Sequence, residues 1–285
     1  MYRRRYEQYA GPVTPAWSRF LVLTRYALRG VFRSRWMVVF FILALVPTLV
    51  QGAMIYIRFN STALELFGPE IMDIIAVDAQ FFQDYLAVQT VLCWILAAFV
   101  GPGLVSPDLA NGALPLYFCR PLSRSEYVLG KGGVLFIVLS ALTWIPGFML
   151  IALQSAYAGM PWFSEHVRVP FVLFFSSCLW IIPLALLALA LSAWVKWRMV
   201  AGALLFGVII VLGTFGLIIN EAVGTYWGSL IDMRQVWTVI THYLMHGEAL
   251  RGTIPVWSAI VSLTMALLFS LWLLNRRVQA YEVVR

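Results

Sequence analysis

Six runs of about 20 apolar residues alternate with polar segments along this chain, at roughly 36–57, 86–105, 131–154, 172–195, 199–219 and 254–274. At 1.5 Å of rise per helical residue, each run matches the ~30 Å hydrocarbon core of a bilayer. The runs lack the period-two alternation of barrel strands, so helices are predicted. Only Lys196-Trp197-Arg198 separates the fourth run from the fifth. Two cations near the middle of one long buried helix would each cost ~2.5–3.5 kcal/mol, so a tight helical hairpin is predicted instead. Pro47, Pro146 and Pro183 fall inside runs, where each removes a backbone hydrogen bond and can kink its helix. Gly202, Gly207, Gly213 and Gly216 make one side of the fifth run small, which permits close helix approach.

The segments between runs carry their own patterns. In residues 17–33, Arg19, Arg25, Arg29 and Arg33 fall within about 120° of arc at 100° per residue. Trp17, Phe20, Leu21, Thr24, Leu28, Val31 and Phe32 gather opposite them. This predicts an amphipathic helix lying in the membrane interface, its guanidiniums toward lipid phosphates or a partner. Residues 1–35 thus read as an N-terminal segment and 36–285 as a six-span domain. The 58–85 segment is acidic and long enough for a short helix or two; 155–171 is a short connector. Within 220–253, Ile231, Val236, Trp237, Ile240 and Leu244 recur at near-helical spacing, predicting a helix at the outer membrane surface or partly dipping in.

Composition agrees with this pattern. With 62% hydrophobic and 12% charged residues, and a mean hydropathy of +0.85, the chain reads as an all-α integral membrane protein. If the N-terminus is cytoplasmic, sixteen of the 20 Lys and Arg fall on inner segments, leaving only Arg58, Arg168, Arg234 and Arg251 outside. That bias places both termini in the cytoplasm. The net charge of +7 is a topology signal, and no stripe of bases and aromatics suggests nucleic acid. Cys93, Cys119 and Cys178 form neither a disulfide framework nor a CxxC site. The first apolar run starts too late and is too long for a signal peptide.

Few residues offer chemistry. No Asp or Glu sits well inside a predicted span, and Ser176 and Ser177 have no span histidine to activate them, so intramembrane hydrolysis is disfavoured. Gln51, Gln89, Asn220 and Glu221 are uncharged or near span ends, which gives no support to an ion-driven carrier. His242 and His246 share a helix face at i, i+4, with Glu248 a possible third ligand. This opens an alternative reading as a stand-alone membrane enzyme or metal-handling protein, although Tyr243 stands where a metalloprotease needs Glu. GxxxxGK[ST] is absent, so this chain does not hydrolyse nucleotide by a P-loop.

The richest polar stretch is Ser106 to Lys131, with Asp108, Arg120, Arg124, Glu126 and Lys131. Ser106 as N-cap, followed by Pro107-Asp108, predicts the start of a short helix. Pro115 and Pro121 interrupt the run. Ser123 and Glu126 form a capping box for a helix from Arg124 through Tyr127 and Lys131 into the third span.

The string Gly112-Ala113-Leu114, Leu116, Arg120-Pro121-Leu122-Ser123-Arg124 and Tyr127-Val128-Leu129-Gly130-Lys131 resembles the inner loop of ABC exporter permeases of the ABC-2 type. It departs at Pro107-Asp108, where a Glu or an Arg-acid pair is commoner, and at Pro115, where many members have Glu. The resemblance implies a permease without catalytic residues or bound cofactor. It would work as a homodimer or with a related permease, beside two copies of a cytoplasmic ATPase that carries the ATP. The loop would hold a short coupling helix that docks on this ATPase. Asp108, Arg120, Pro121, Ser123, Arg124, Glu126, Tyr127 and Lys131 become the coupling candidates, with Arg25, Arg29 and Arg33 as a second surface.

Overall fold

The computed structural model describes Pro15 and residues 18–60, 76–118 and 122–277. Among these residues the chain is helical throughout, with no strand. The elements are α1 (Arg19–Phe32), α2 (Arg35–Ala44), α3 (Val46–Arg58), α4 (Ala79–Val100), α5 (Pro102–Ala110) and α6 (Leu114–Phe118). They continue with α7 (Arg124–Ser140), α8 (Trp144–Glu165), α9 (Arg168–Trp194), α10 (Arg198–Val223), α11 (Met233–His246) and α12 (Val256–Arg277). Six helical segments are long and apolar enough to cross a membrane: α2–α3, α4–α5, α7–α8, α9, α10 and α12. The protein is therefore a multi-pass membrane protein.

The prolines act as local chemistry dictates. Pro47 coincides with a break at Leu45 between α2 and α3, and Pro146 with the break between α7 and α8. Pro146 cannot donate to the Leu142 carbonyl; the Tyr85 hydroxyl instead donates to Thr143 O at 2.7 Å and, more weakly, to Leu142 O at 3.4 Å. Pro183 leaves α9 continuous. The expected 155–171 connector is instead helical up to Glu165, with a kink at Gly159, where φ is +81°.

Helix α9 is the hub, packed against α4, α5, α7, α8, α10, α11 and α12. Its side chains Leu173, Ile181, Leu184 and Ala190 are fully buried. By contrast α2–α3, α10 and α12 bury little of their apolar surface within the chain. The α9–α10 connection is the tight Val195–Trp197 turn. Gly202 brings α10 against the Ala98 carbonyl of α4, whereas Gly207 meets nothing, so the small-residue rule holds for some of these glycines and not for all.

The segment after α10 turns back along it. A Cβ on Gly216 would stand 2.5 Å from the Gly228 carbonyl oxygen, so backbone meets backbone there and glycine is required. Asp232 then packs beside Gly213. Gly213 lies ten residues, about 15 Å of helix, before the end of α10. From Asp232, α11 returns through the bundle, burying Val236, Trp237, Val239, Ile240 and Met245 against α9, α4 and α12. The 220–253 segment is thus a re-entrant hairpin. Of the two expected placements, the helix takes the inward one, because Trp237 seats on α9: Nε1 donates to Ser176 O at 2.8 Å, and the ring meets Trp180 edge-on at 5.9 Å.

Candidate functional site

The loop between the second and third spans is built by local rules and then tied by one carboxylate. Pro102 at the first position of α5 continues the span beyond Gly101, and Pro107 lies inside α5. Ser106 is therefore not an N-cap. It is fully buried in the middle of α5, and Gly101 occupies the cap position. The Ser192 hydroxyl of α9 stands between Ser106 N–H (2.9 Å) and Pro102 O (3.2 Å), two groups that bond each other in an unbroken helix. Ser106 Oγ in turn donates to Ser192 O at 3.0 Å. The proline-weakened helix is stapled to the hub in this way.

Helix α5 ends at Asn111. Gly112, at φ +61°, lets Ala113 N–H reach Asp108 O (2.8 Å) and Gly112 N–H reach Leu109 O (3.3 Å), a Schellman closure. Pro115 does not interrupt the chain. It sits in the first turn of α6, where a missing N–H costs nothing. Cys119, Arg120 and Pro121 lie outside the described residues. The capping box is present: Glu126 N–H donates to Ser123 Oγ (3.2 Å), and Ser123 N–H donates to Glu126 Oε2 (2.6 Å). Ser123→Ala is expected to cost about 1 kcal/mol, read as a lower melting temperature of the purified chain; an unchanged melt would deny the box any role.

Asp108 ties α5 to α7. Its Oδ2 accepts from Lys131 Nζ at 2.8 Å and from the Tyr127 hydroxyl at 2.8 Å. The side chains of Lys131 and Asp108 are only 8% and 16% exposed, so the pair is largely withdrawn from water. Lys131 Nζ also lies 6.0 Å from the Tyr117 ring centroid on α6 and 5.6 Å from that of Tyr127, and the two rings are 5.6 Å apart. Burial pushes the Tyr117 phenol above its usual pKa, and the Asp108 charge adds to this. Of the sequence candidates, Asp108, Tyr127 and Lys131 come together, Ser123 and Glu126 serve the cap, and Arg124 points away into a groove bordered by α9 and α12. Tyr117 was missed, because nothing local pairs it with Lys131.

Helix α1 rides on α7. Thr24 Oγ1 donates to Gly130 O at 2.8 Å, and a Cβ on Gly130 would stand 2.9 Å from Leu23. The packing face is Leu23, Thr24, Ala27, Leu28 and Val31, while Leu21 and Phe32 of the expected apolar face are exposed. Gly130 and Gly133 explain the rotation, because both face α1 at Leu23 and Thr24 and leave a shallow seat on α7. Arg25, Arg29 and Arg33 remain exposed. Lys131 and Arg198 border a cavity of about 290 Å³ between α1, α2, α5 and α7. Asp108, Lys196 and Arg277 border another of about 380 Å³. The loop, the α9–α10 turn and the end of α12 thus share one basic end of the bundle.

His242 and His246 lie with ring centroids 4.5 Å apart and their planes tilted by 35°, and His246 Nε2 lies 3.1 Å from Gln83 Oε1. Burial lowers the His242 pKa, His246 lowers it further, and Glu248 opposes both. Among the described residues no three His, Cys, Asp or Glu side chains gather closely enough to hold a metal. Sequence reasoning also overlooked Asp232. It is buried at the tip of the re-entrant hairpin, where its Oδ1 accepts from Arg234 N–H at 2.9 Å. No protein-family model matches the chain, and no curated protein matches it.

Proposed function

We propose that this chain is the membrane-spanning subunit of an ATP-binding cassette exporter of the ABC-2 type. In this reading it sits in the cytoplasmic membrane with both termini and the basic end in the cytoplasm. It pairs with a second permease copy, identical or related, and with two copies of a separate ATPase that binds the ATP. The observation that carries the reading is the Asp108 tie: one carboxylate oxygen holds α5 and α7 together, with Tyr117 of α6 beside the same cation. A loop that transmits a partner's displacement to the spans must be stiff, and this one is continuous with the second and third spans. Leu116, 72% exposed on α6, and the arginines of α1 offer the partner an apolar contact and charge. The sparsely buried α2–α3 and α10 leave apolar surface for a second permease copy.

The test is cross-linking from Leu116→Cys in the full chain, purified from the membranes of its host. The expected product is an ATPase subunit with a P-loop, co-eluting with ATP hydrolysis. Leu116→Asp, which puts a charge in place of the exposed leucine, is expected to cut the amount of ATPase that co-elutes without cross-linking about tenfold or more. Purified chain that neither cross-links to nor elutes with an ATPase would overturn the proposal.

A further inference from the structure

On the flank of the bundle, α1, α7, α9 and α12 enclose an open groove of about 1200 Å³. That exceeds the ~300–1,000 Å³ of ordinary small-molecule sites. Its walls are aliphatic and aromatic, and its polar groups collect at one end: Arg124 and Ser125 at the start of α7 and Asn275 near the end of α12. Trp272 forms part of the wall, and the Arg276 guanidinium, one residue beyond the lining Asn275, lies 4.4 Å from the Trp272 ring centroid. Among the described residues neither Arg124 nor Arg276 has an acid within ion-pairing distance. The groove extends along α7 from Arg124 to Phe136, about 18 Å of helix, close to the ~15 Å hydrocarbon depth of one leaflet.

We infer that this groove is a resident site for one anionic phospholipid of the leaflet at the basic end. Its acyl chains lie against α7 and α9, and its phosphate is held by Arg124 and Arg276. The charge selects the occupant. A neutral apolar segment would leave two guanidiniums unpaired at the mouth, whereas a phosphate accepts their fork of donors. An apolar wall ending in cations at the interface has the polarity profile of a lipid and not of a soluble anion. The inference rests on the membrane-spanning architecture and not on the transport reading, so either can fail alone.

The experiment is native mass spectrometry of the full chain in mild detergent. It is titrated separately with palmitoyl-oleoyl phosphatidylglycerol, with the matching phosphatidylcholine, and with glycerol 3-phosphate. The expected result is one phosphatidylglycerol per chain, retained about tenfold or more over phosphatidylcholine, with no retention of glycerol 3-phosphate. R124Q/R276Q is expected to erase that preference, and Val128→Trp, which fills the groove, to displace both lipids. Equal retention of the two lipids by the unaltered chain would overturn the proposal and mark ordinary boundary lipid. Retention of glycerol 3-phosphate would overturn it in favour of a headgroup-only site. The unaltered-chain comparison decides the matter even if a variant fails to fold.

Discussion

Replacing Lys131 with methionine is expected to destabilise the purified chain by about 3–5 kcal/mol, because it strands a buried carboxylate. Asp108 is 16% exposed and has two partners, Lys131 and Tyr127, on the same oxygen. Losing the ammonium leaves the charge with one neutral hydroxyl. Asp108→Leu combined with Lys131→Met is expected to recover most of the loss, since removing both charges removes the desolvation cost along with the attraction. Tyr127→Phe is expected to cost about 1.5–3 kcal/mol, the usual worth of a hydrogen bond to a charged group. A double-mutant cycle on melting in detergent measures the coupling. If Lys131→Met melts like the parent chain, the pair is not buried as described. The double variant also tests the proposed coupling role: undiminished ATP-driven transport would make the pair purely structural.

The second large effect is Trp237→Ala, expected to cost about 3–5 kcal/mol through the lost ring and the cavity it leaves. Trp237 is 2% exposed, lies edge-on to Trp180 and donates to Ser176 O. It anchors the re-entrant helix to the hub, so the damage is expected to be local before it is global. A cysteine at Met233, near the hairpin tip, is expected to react with a membrane-impermeant maleimide in the Trp237→Ala background and not in the parent. Trp237→Phe keeps most of the ring and loses one hydrogen bond, so a loss of only about 1 kcal/mol is expected. Equal maleimide reactivity in both backgrounds would mean that Trp237 does not hold the hairpin.

These variants mark where sequence reading succeeds and where it stops. The six spans were legible because an apolar run of membrane length is a property of consecutive residues. The Ser123–Glu126 box was legible because its partners are three residues apart on a single turn. Arg25, Arg29 and Arg33 were correctly placed away from the packed face of α1, by helical period alone. The role of Ser106 was misread because two features beside it, a proline and an acid, imitate a helix start. Its actual partner, Ser192, lies 86 residues away. Asp232 was overlooked because no residue near it in the chain marks it as buried. The backbone contact of Gly216 with Gly228, and the Asp232 carboxylate beside Gly213, show how it is carried inward.

By itself, the sequence determined that this protein is helical, that it has six segments long and apolar enough to cross a membrane, and that a capped polar loop joins the second and third of them. All of these follow from short-range periodicity, run length and charge. Only the tertiary structure decided that Asp108, Tyr127 and Lys131 form one buried cluster, that α1 sits on α7 through Thr24, and that the segment after α10 folds back into the bundle. Such contacts depend on which helix surfaces meet. That is settled by close packing between residues far apart in the chain, where no local pattern records the partner.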